Sequence, residues 1–170
     1  LFHESDAYSR QKISETERLR RGRRYLFDAW IDPACYHAEQ NTVDLHVRVR
    51  DVWSLNPGLH FSRKGGSNNV GFELQDQDFL GRGSLVSVGW ASDVDRSSLL
   101  FDYDDPQLFG SWWRARVAYA DNSDGSFGNL AIERPFYSLD TRWSTGTRLA
   151  GGSRTDSRYQ LGKVLDAFTQ

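Results

Sequence analysis

Few residues in this chain could do chemistry, and their spacing decides against most of what they could do. Histidine occurs at His3, His37, His46 and His60, and cysteine only at Cys35. No two histidines stand at H-x-x-x-H spacing, and Cys35 has no second thiol for a zinc set or an internal disulfide. Cys35 and His37 lie one alternation apart and could point the same way on a strand, but two ligands do not make a site. Acidic residues gather at Asp76 and Asp78, and again at Asp102, Asp104 and Asp105. Calcium favours such oxygens, yet the ordered spacing of a calcium loop is missing, so polar link residues are the simpler reading. "GRGS" (Gly81–Ser84) precedes a strand-like run rather than a helix and has no lysine beside it, which is not a phosphate cradle. The longest basic run, "RLRRGRR" (Arg18–Arg24), reads as a solvated helix end. Net charge is -2, with both signs interspersed, and leaves no electrostatic footprint for nucleic acid. The sequence predicts no enzyme activity, no cofactor and no metal.

The elements around these residues fall into two textures. Residues 5–24, "SDAYSRQKISETERLRRGRR", predict a short amphipathic helix with Glu15, Glu17, Arg18 and Arg20 on its exposed face, ending near Gly22. "RYLFDAWI" (Arg24–Ile31) reads as a strand, and "DPACYHAEQN" (Asp32–Asn41) as a turn or loop around Pro33. "TVDLHVRVR" (Thr42–Arg50) has the cleanest alternation, with Val43, Leu45, Val47 and Val49 opposite Asp44, His46, Arg48 and Arg50. Together these form a small α+β unit.

After Asp51 glycine increases, helical patterns vanish, and two-sided strands follow at hairpin spacing. Leu59 and Phe61 oppose His60 and Ser62; Val70, Phe72 and Leu74 oppose Gly71, Glu73 and Gln75. Val86, Val88 and Trp90 share a face, as do Leu99, Phe101 and Tyr103. In "WWRARVAYA" (Trp112–Ala120), Trp113, Ala115, Val117 and Tyr119 alternate with Arg114 and Arg116. Turns are expected at 64–68, 92–96, 121–125 ("DNSDG") and 151–156 (within "GGSRTDS"). Two or three strands are expected within 126–150, and a last one over Thr155–Val164. Seven or eight strands therefore follow one another as a meander.

The alternation requires a cover for the apolar face: a second sheet or helix in water, or lipid around a barrel. A dry core on the other side would have to accept Arg114 and Arg116, at several kcal/mol apiece if unpaired. Six Trp, seven Tyr and ten Phe stand beside 15 Gly and no Met. Trp53, Trp90, Trp112, Trp113, Phe136, Tyr137 and Trp143 fall at or near expected strand ends, where membrane interfaces collect amphipathic rings. No apolar run approaches the roughly 20 residues of a membrane helix, but barrel strands need only about 9–11. The chain opens on Leu1 without an initiator methionine or signal-like segment, which predicts a mature region or an excised piece.

The run "NTVDLHVRVRDVWSLNPGLHFSRKGGSNNVGFELQDQDFLGRG" resembles the junction between the last periplasmic POTRA domain and the first barrel strands of the Omp85 superfamily, which includes BamA-like and TamA-like outer-membrane proteins. "QDQDFLGRG", "DYDDPQLFG" and "ERPFYSLDTRW" resemble three successive links at the periplasmic rim. The resemblance implies a mainly β fold: the C-terminal part of a POTRA-like α+β domain over 1–51, then an antiparallel meander over 52–170 forming the first half of a membrane β-barrel. The resemblance implies a barrel of about 16 strands, within the range of outer-membrane barrels, of which about eight fit here. It further implies rim links holding Asp78, Phe79, Leu80 and Gly81, then Pro106, Leu108 and Phe109, then Pro135, Phe136 and Tyr137. Leu55, Pro57, Leu59 and Phe61 would form a weak barrel seam, with Pro57 lacking an N–H. Trp113, Ala115, Val117 and Tyr119 would face lipid, and Arg114 and Arg116 the lumen. The implied role is non-enzymatic insertion or translocation of proteins at a bacterial outer membrane, with the N-terminal part in the periplasm. Its partners would be outer-membrane lipid, extended or unfolded protein substrates and accessory assembly proteins, and no nucleic acid. The alternative is a soluble β-rich module whose surface tryptophans stack on a carbohydrate or another ligand.

Overall fold

The computed structural model describes residues 6–64, 67–93, 96–160 and 163–169. His3 and the centres of the turns expected at 64–68 and 92–96 lie outside them. Among the described residues the chain is mainly β, with one α-helix and two antiparallel sheets. It divides into two compact units, Leu1–Ser54 with Phe136–Trp143, and Leu55–Pro135 with Ser144–Gln170.

In the first unit, helix α1 (Arg10–Arg21) starts where the extended Ser9 accepts the Lys12 N–H on its Oγ at 3.4 Å. It ends on Gly22, with Arg18, Arg20 and Arg21 in the last turn, where cations suit the helix dipole. Strand β1 (Leu26–His37) pairs with β2 (Thr42–Asp51). The segment around Pro33, expected as a loop, is strand up to His37. A register shift between Pro33 and Cys35 absorbs the missing N–H, as a bulge can in a strand with a free edge. Ile13 of the helix and Leu26, Ala29 and Ile31 of β1 form a small core. Each of the three larger side chains contributes about 1.5–3 kcal/mol by burial. The helix covers β1 more fully than β2, whose Val47 and Val49 remain about half exposed. Polar ties reinforce the packing: Glu17 Oε1 accepts the Ile31 N–H at 2.7 Å, and Arg21 pairs with Asp28 at 2.8 Å.

Glu15 departs from expectation. Instead of lying on the exposed helix face it is buried, receives two hydrogen bonds from Arg18 at 2.6 and 2.9 Å, and accepts the Leu139 N–H at 3.2 Å. The Arg18 hydrogen bonds, helped by the Leu139 N–H, hold its carboxyl below the usual glutamate range against the opposing effect of burial. Leu139 belongs to Phe136–Trp143, which the sequence reads as a third rim link equivalent to the other two. That segment groups with the first unit.

The second unit is one sheet of eight strands: β3 (Leu55–Lys64), β4 (Ser67–Phe79), β5 (Ser84–Ser92), β6 (Ser97–Asp105), β7 (Arg114–Asn122), β8 (Gly125–Arg134), β9 (Thr145–Gln160) and β10 (Lys163–Thr169). Each is hydrogen-bonded to its sequence neighbour, so the order runs β3 to β10 without a crossover. The turn at Ser123–Asp124 falls within "DNSDG". The turn expected at 151–156 does not exist: those residues lie inside β9. Gly152 serves close approach, since a Cβ there would stand 2.4 Å from the Ser126 carbonyl oxygen. The strand expected over Thr155–Val164 is split accordingly, with β9 running to Gln160, β10 beginning at Lys163, and Leu161 and Gly162 outside the described residues.

Two links at one end of this sheet hold bulky residues in left-handed backbone. Leu80 has φ 57° and Phe109 φ 54°, followed by Gly81 at 68° and Gly110 at 71°. For a bulky L-residue that conformation costs about 1–2 kcal/mol.

Candidate functional site

The surface that sets this molecule apart is the eight-stranded sheet itself. In an antiparallel ladder, directly opposed residues point to one side, so the register sorts every side chain by face. One row reads Pro57, Leu74, Val88, Phe101, Tyr119, Gly128 and Gly151. The next on that face reads Leu55, Asp76, Val86, Tyr103, Val117, Leu130 and Leu149. A third begins Leu59, Phe72, Trp90 and Leu99, with the Phe72 and Trp90 rings stacked at 6.0 Å. This face is apolar across most of the sheet.

The opposite face is small, polar or charged. Its rows include Asn56, Gln75, Ser87, Asp102, Ala118, Asn129 and Ala150, and beside it Leu85, Asp104, Arg116, Ala131 and Arg148. Two arginines there are matched diagonally with carboxylates. Arg114 donates twice to Asp104, at 2.6 and 2.7 Å, and Arg116 donates to Glu133. Ser87 donates to Glu73 at 2.6 Å, and Arg148 to Asn129 at 2.5 Å. A groove on this face is bounded by Arg116, Asn129, Glu133, Thr145 and Arg148.

The apolar face has almost no cover among the described residues. Within them Ala115 is the buried apolar side chain of this unit, while Leu59 is 88% and Phe61 74% exposed. Val70, Phe72, Leu74, Leu99 and Tyr119 are each about half exposed.

The structure separates the residues singled out in the sequence. Leu55, Pro57, Leu59 and Phe61 lie on one face of β3, an edge strand among the described residues, and pairing with β4 passes through Pro57 without a shift. Ala115, Val117 and Tyr119 lie on the apolar face, and Arg114 and Arg116 on the polar one. Trp113 precedes β7, and its carbonyl accepts the Leu108 N–H at 2.8 Å. Asp78 closes the β4–β5 link, accepting the Gly83 N–H on Oδ1 at 2.6 Å; Phe79 ends β4 opposite Ser84. Pro106 and Leu108 sit in the β6–β7 link with Phe109. Pro135 ends the sheet's share of the third link, whereas Phe136 and Tyr137, with Trp53 and Trp143, belong to the first unit. Of the aromatic rings expected near strand ends, Trp90 lies in β5 and Trp112 and Trp113 precede β7, while Trp53, Phe136 and Trp143 stand within two residues of β3, β8 and β9.

His37 contacts Asp44 at 2.8 Å, and among the described residues no three His, Cys, Asp or Glu side chains gather as metal ligands. Also among them, no helix is long and apolar enough to cross a membrane, which says nothing about crossing by strands. The buried Glu15, outside this surface, is a structural residue that sequence reasoning missed. Its one signal in the sequence is the spacing to Arg18, which reads equally well as a surface ion pair. Searches of protein-family models and of curated proteins found no match for this chain.

Proposed function

We propose that residues from about 52 onward are the N-terminal strands of an outer-membrane β-barrel, and residues 1–51 the end of a periplasmic POTRA-like domain, in a non-enzymatic protein of the Omp85 type. Its role is insertion of proteins into, or their translocation across, a bacterial outer membrane. One observation carries the reading: among the described residues, a meander of eight strands with an apolar face left open and a polar face on which Arg114 and Arg116 are paired with carboxylates. Lipid covers such an apolar face without any second layer of protein, and a wet lumen accepts Arg114, Arg116 and their carboxylates. Five of the strands, β3 and β5 to β8, are nine or ten residues long, which suits a tilted crossing of about 9–11 residues. Among the described residues the rows are not closed by pairing of β3 with β10, in keeping with part of a larger barrel. In this reading Leu55, Pro57, Leu59 and Phe61 are the seam where the barrel's first strand meets its last. The partners are lipid, extended polypeptide and accessory assembly proteins.

The test is solvent dependence of the full-length chain. It should fold in detergent or bilayers and aggregate without them. A monomeric, folded, detergent-free protein would instead favour the soluble module, whose exposed tryptophans bind a carbohydrate or another ligand.

A further inference from the structure

The β4–β5 and β6–β7 links are built alike, on "DQDFLG" (Asp76–Gly81) and "DPQLFG" (Asp105–Gly110). Asp76 and Asp105 are the residues at which the apolar columns Val70–Phe72–Leu74 and Leu99–Phe101–Tyr103 end. Each carboxylate turns back to accept the N–H two residues on, from Asp78 at 3.0 Å and from Gln107 at 2.9 Å. Gly81 then donates to the Asp78 carbonyl at 2.8 Å, and Gly110 to the Gln107 carbonyl at 2.7 Å. The residue before each glycine is forced into positive φ, where glycine, Asn or Asp would be favoured. The chain places Leu80 and Phe109 there and leaves them 75% and 96% exposed. A backbone that pins a bulky apolar side chain outward, twice over and by the same bonds, sets up a contact with something outside the chain.

We propose that Leu80 and Phe109 are paired anchors that seat this end of the sheet in the boundary between headgroups and acyl chains of a lipid bilayer. The inference rests on the reading of the sheet as membrane-spanning. Asp76 and Asp105 mark the level at which hydrocarbon gives way to polar surroundings, and the interfacial layer beyond is about 5–7 Å deep. A single tight turn fits that depth. Arg82, exposed two residues after Leu80, adds a cation where lipid phosphates lie. Two separate knobs with polar backbone around each suit a lipid interface, which closes around isolated side chains. A protein partner calls for a continuous apolar patch.

The test uses the full-length chain with Cys35→Ser and any further cysteine likewise replaced by serine, and with single nitroxide labels at Leu80→Cys, Phe109→Cys or Val117→Cys. It is reconstituted in phosphatidylethanolamine–phosphatidylglycerol vesicles, and collision with oxygen and with a water-soluble nickel chelate gives each label's depth. Labels at 80 and 109 should sit near the phosphate level and the label at 117 deep in hydrocarbon. A deep 117 with 80 and 109 fully in water would overturn the anchors while leaving the membrane reading intact. All three in water would overturn both. Labels at 80 and 109 shielded from both reagents would mean that protein covers them, and would overturn the anchors as well.

Discussion

The two units of this chain use the same β-alternation to opposite ends. In the first, Ile13 from the helix closes over Leu26, Ala29 and Ile31, and Arg48 and Arg50 lie over the rings of Trp30 and Phe27. In the second, eight strands align Leu59, Phe72, Phe101, Tyr119, Leu130 and Leu149 on one face, and nothing among the described residues closes over them. The first is stabilised by what it buries within itself. The second has polar contacts within itself, such as Asp104 with Arg114, and an apolar face that the described residues leave open. On the proposed reading, lipid covers that face.

The largest effect that would probe the contrast lies in the first unit. Ile31→Ala removes a core side chain that is 4% exposed and should cost about 2–5 kcal/mol there, with or without lipid. Hydrogen exchange along α1 and β1 measures it, and unchanged protection would mean that the small core is not what holds this unit. In the second unit, Val117→Arg should cost about 2–4 kcal/mol in a bilayer, by urea titration from vesicles. Ala118→Arg, on the opposite face, should cost far less. Equal losses at 117 and 118 would erase the distinction between the faces.

Gly152→Ala tests the backbone instead of the faces. Its new Cβ must displace the Ser126 carbonyl, so about 1–3 kcal/mol should be lost, with faster exchange confined to β8 and β9. Unaltered exchange there would show that the close approach is dispensable. The smallest effect concerns Glu15. Its carboxyl is depressed in the folded state, so its contribution is complete above the unfolded value and is lost as pH falls through the folded one. Acidification through that range should release the Leu139 amide to exchange before the β1–β2 pairs open, and Glu15→Gln should flatten this pH dependence.

Much of the fold is legible in the amino-acid sequence alone. Period-two patterns at Val43–Val49, Val70–Leu74 and Trp113–Tyr119 name their faces because alternation is a property of the strand's own backbone. Turn chemistry at "DNSDG" and the helix end at Gly22 are local in the same way. The candidate surface is legible as a set of alternating residues, but not its continuity. That needs the register by which Leu74, Val88, Phe101 and Tyr119 come into one row.

The tertiary structure alone decided the rest, and in each case the reason is non-local. "GGSRTDS" has the composition of a turn, yet it is strand, and at Gly152 β8 passes too close for a side chain. Pro33 lies in a strand because a bulge and a free edge tolerate its missing N–H. Phe136–Trp143 groups with the first unit, where Glu15, far away in sequence, accepts the Leu139 N–H. Composition and period state what a segment can do alone. Which neighbour arrives beside it depends on the whole chain, and that choice placed Glu15, Gly152 and the third link.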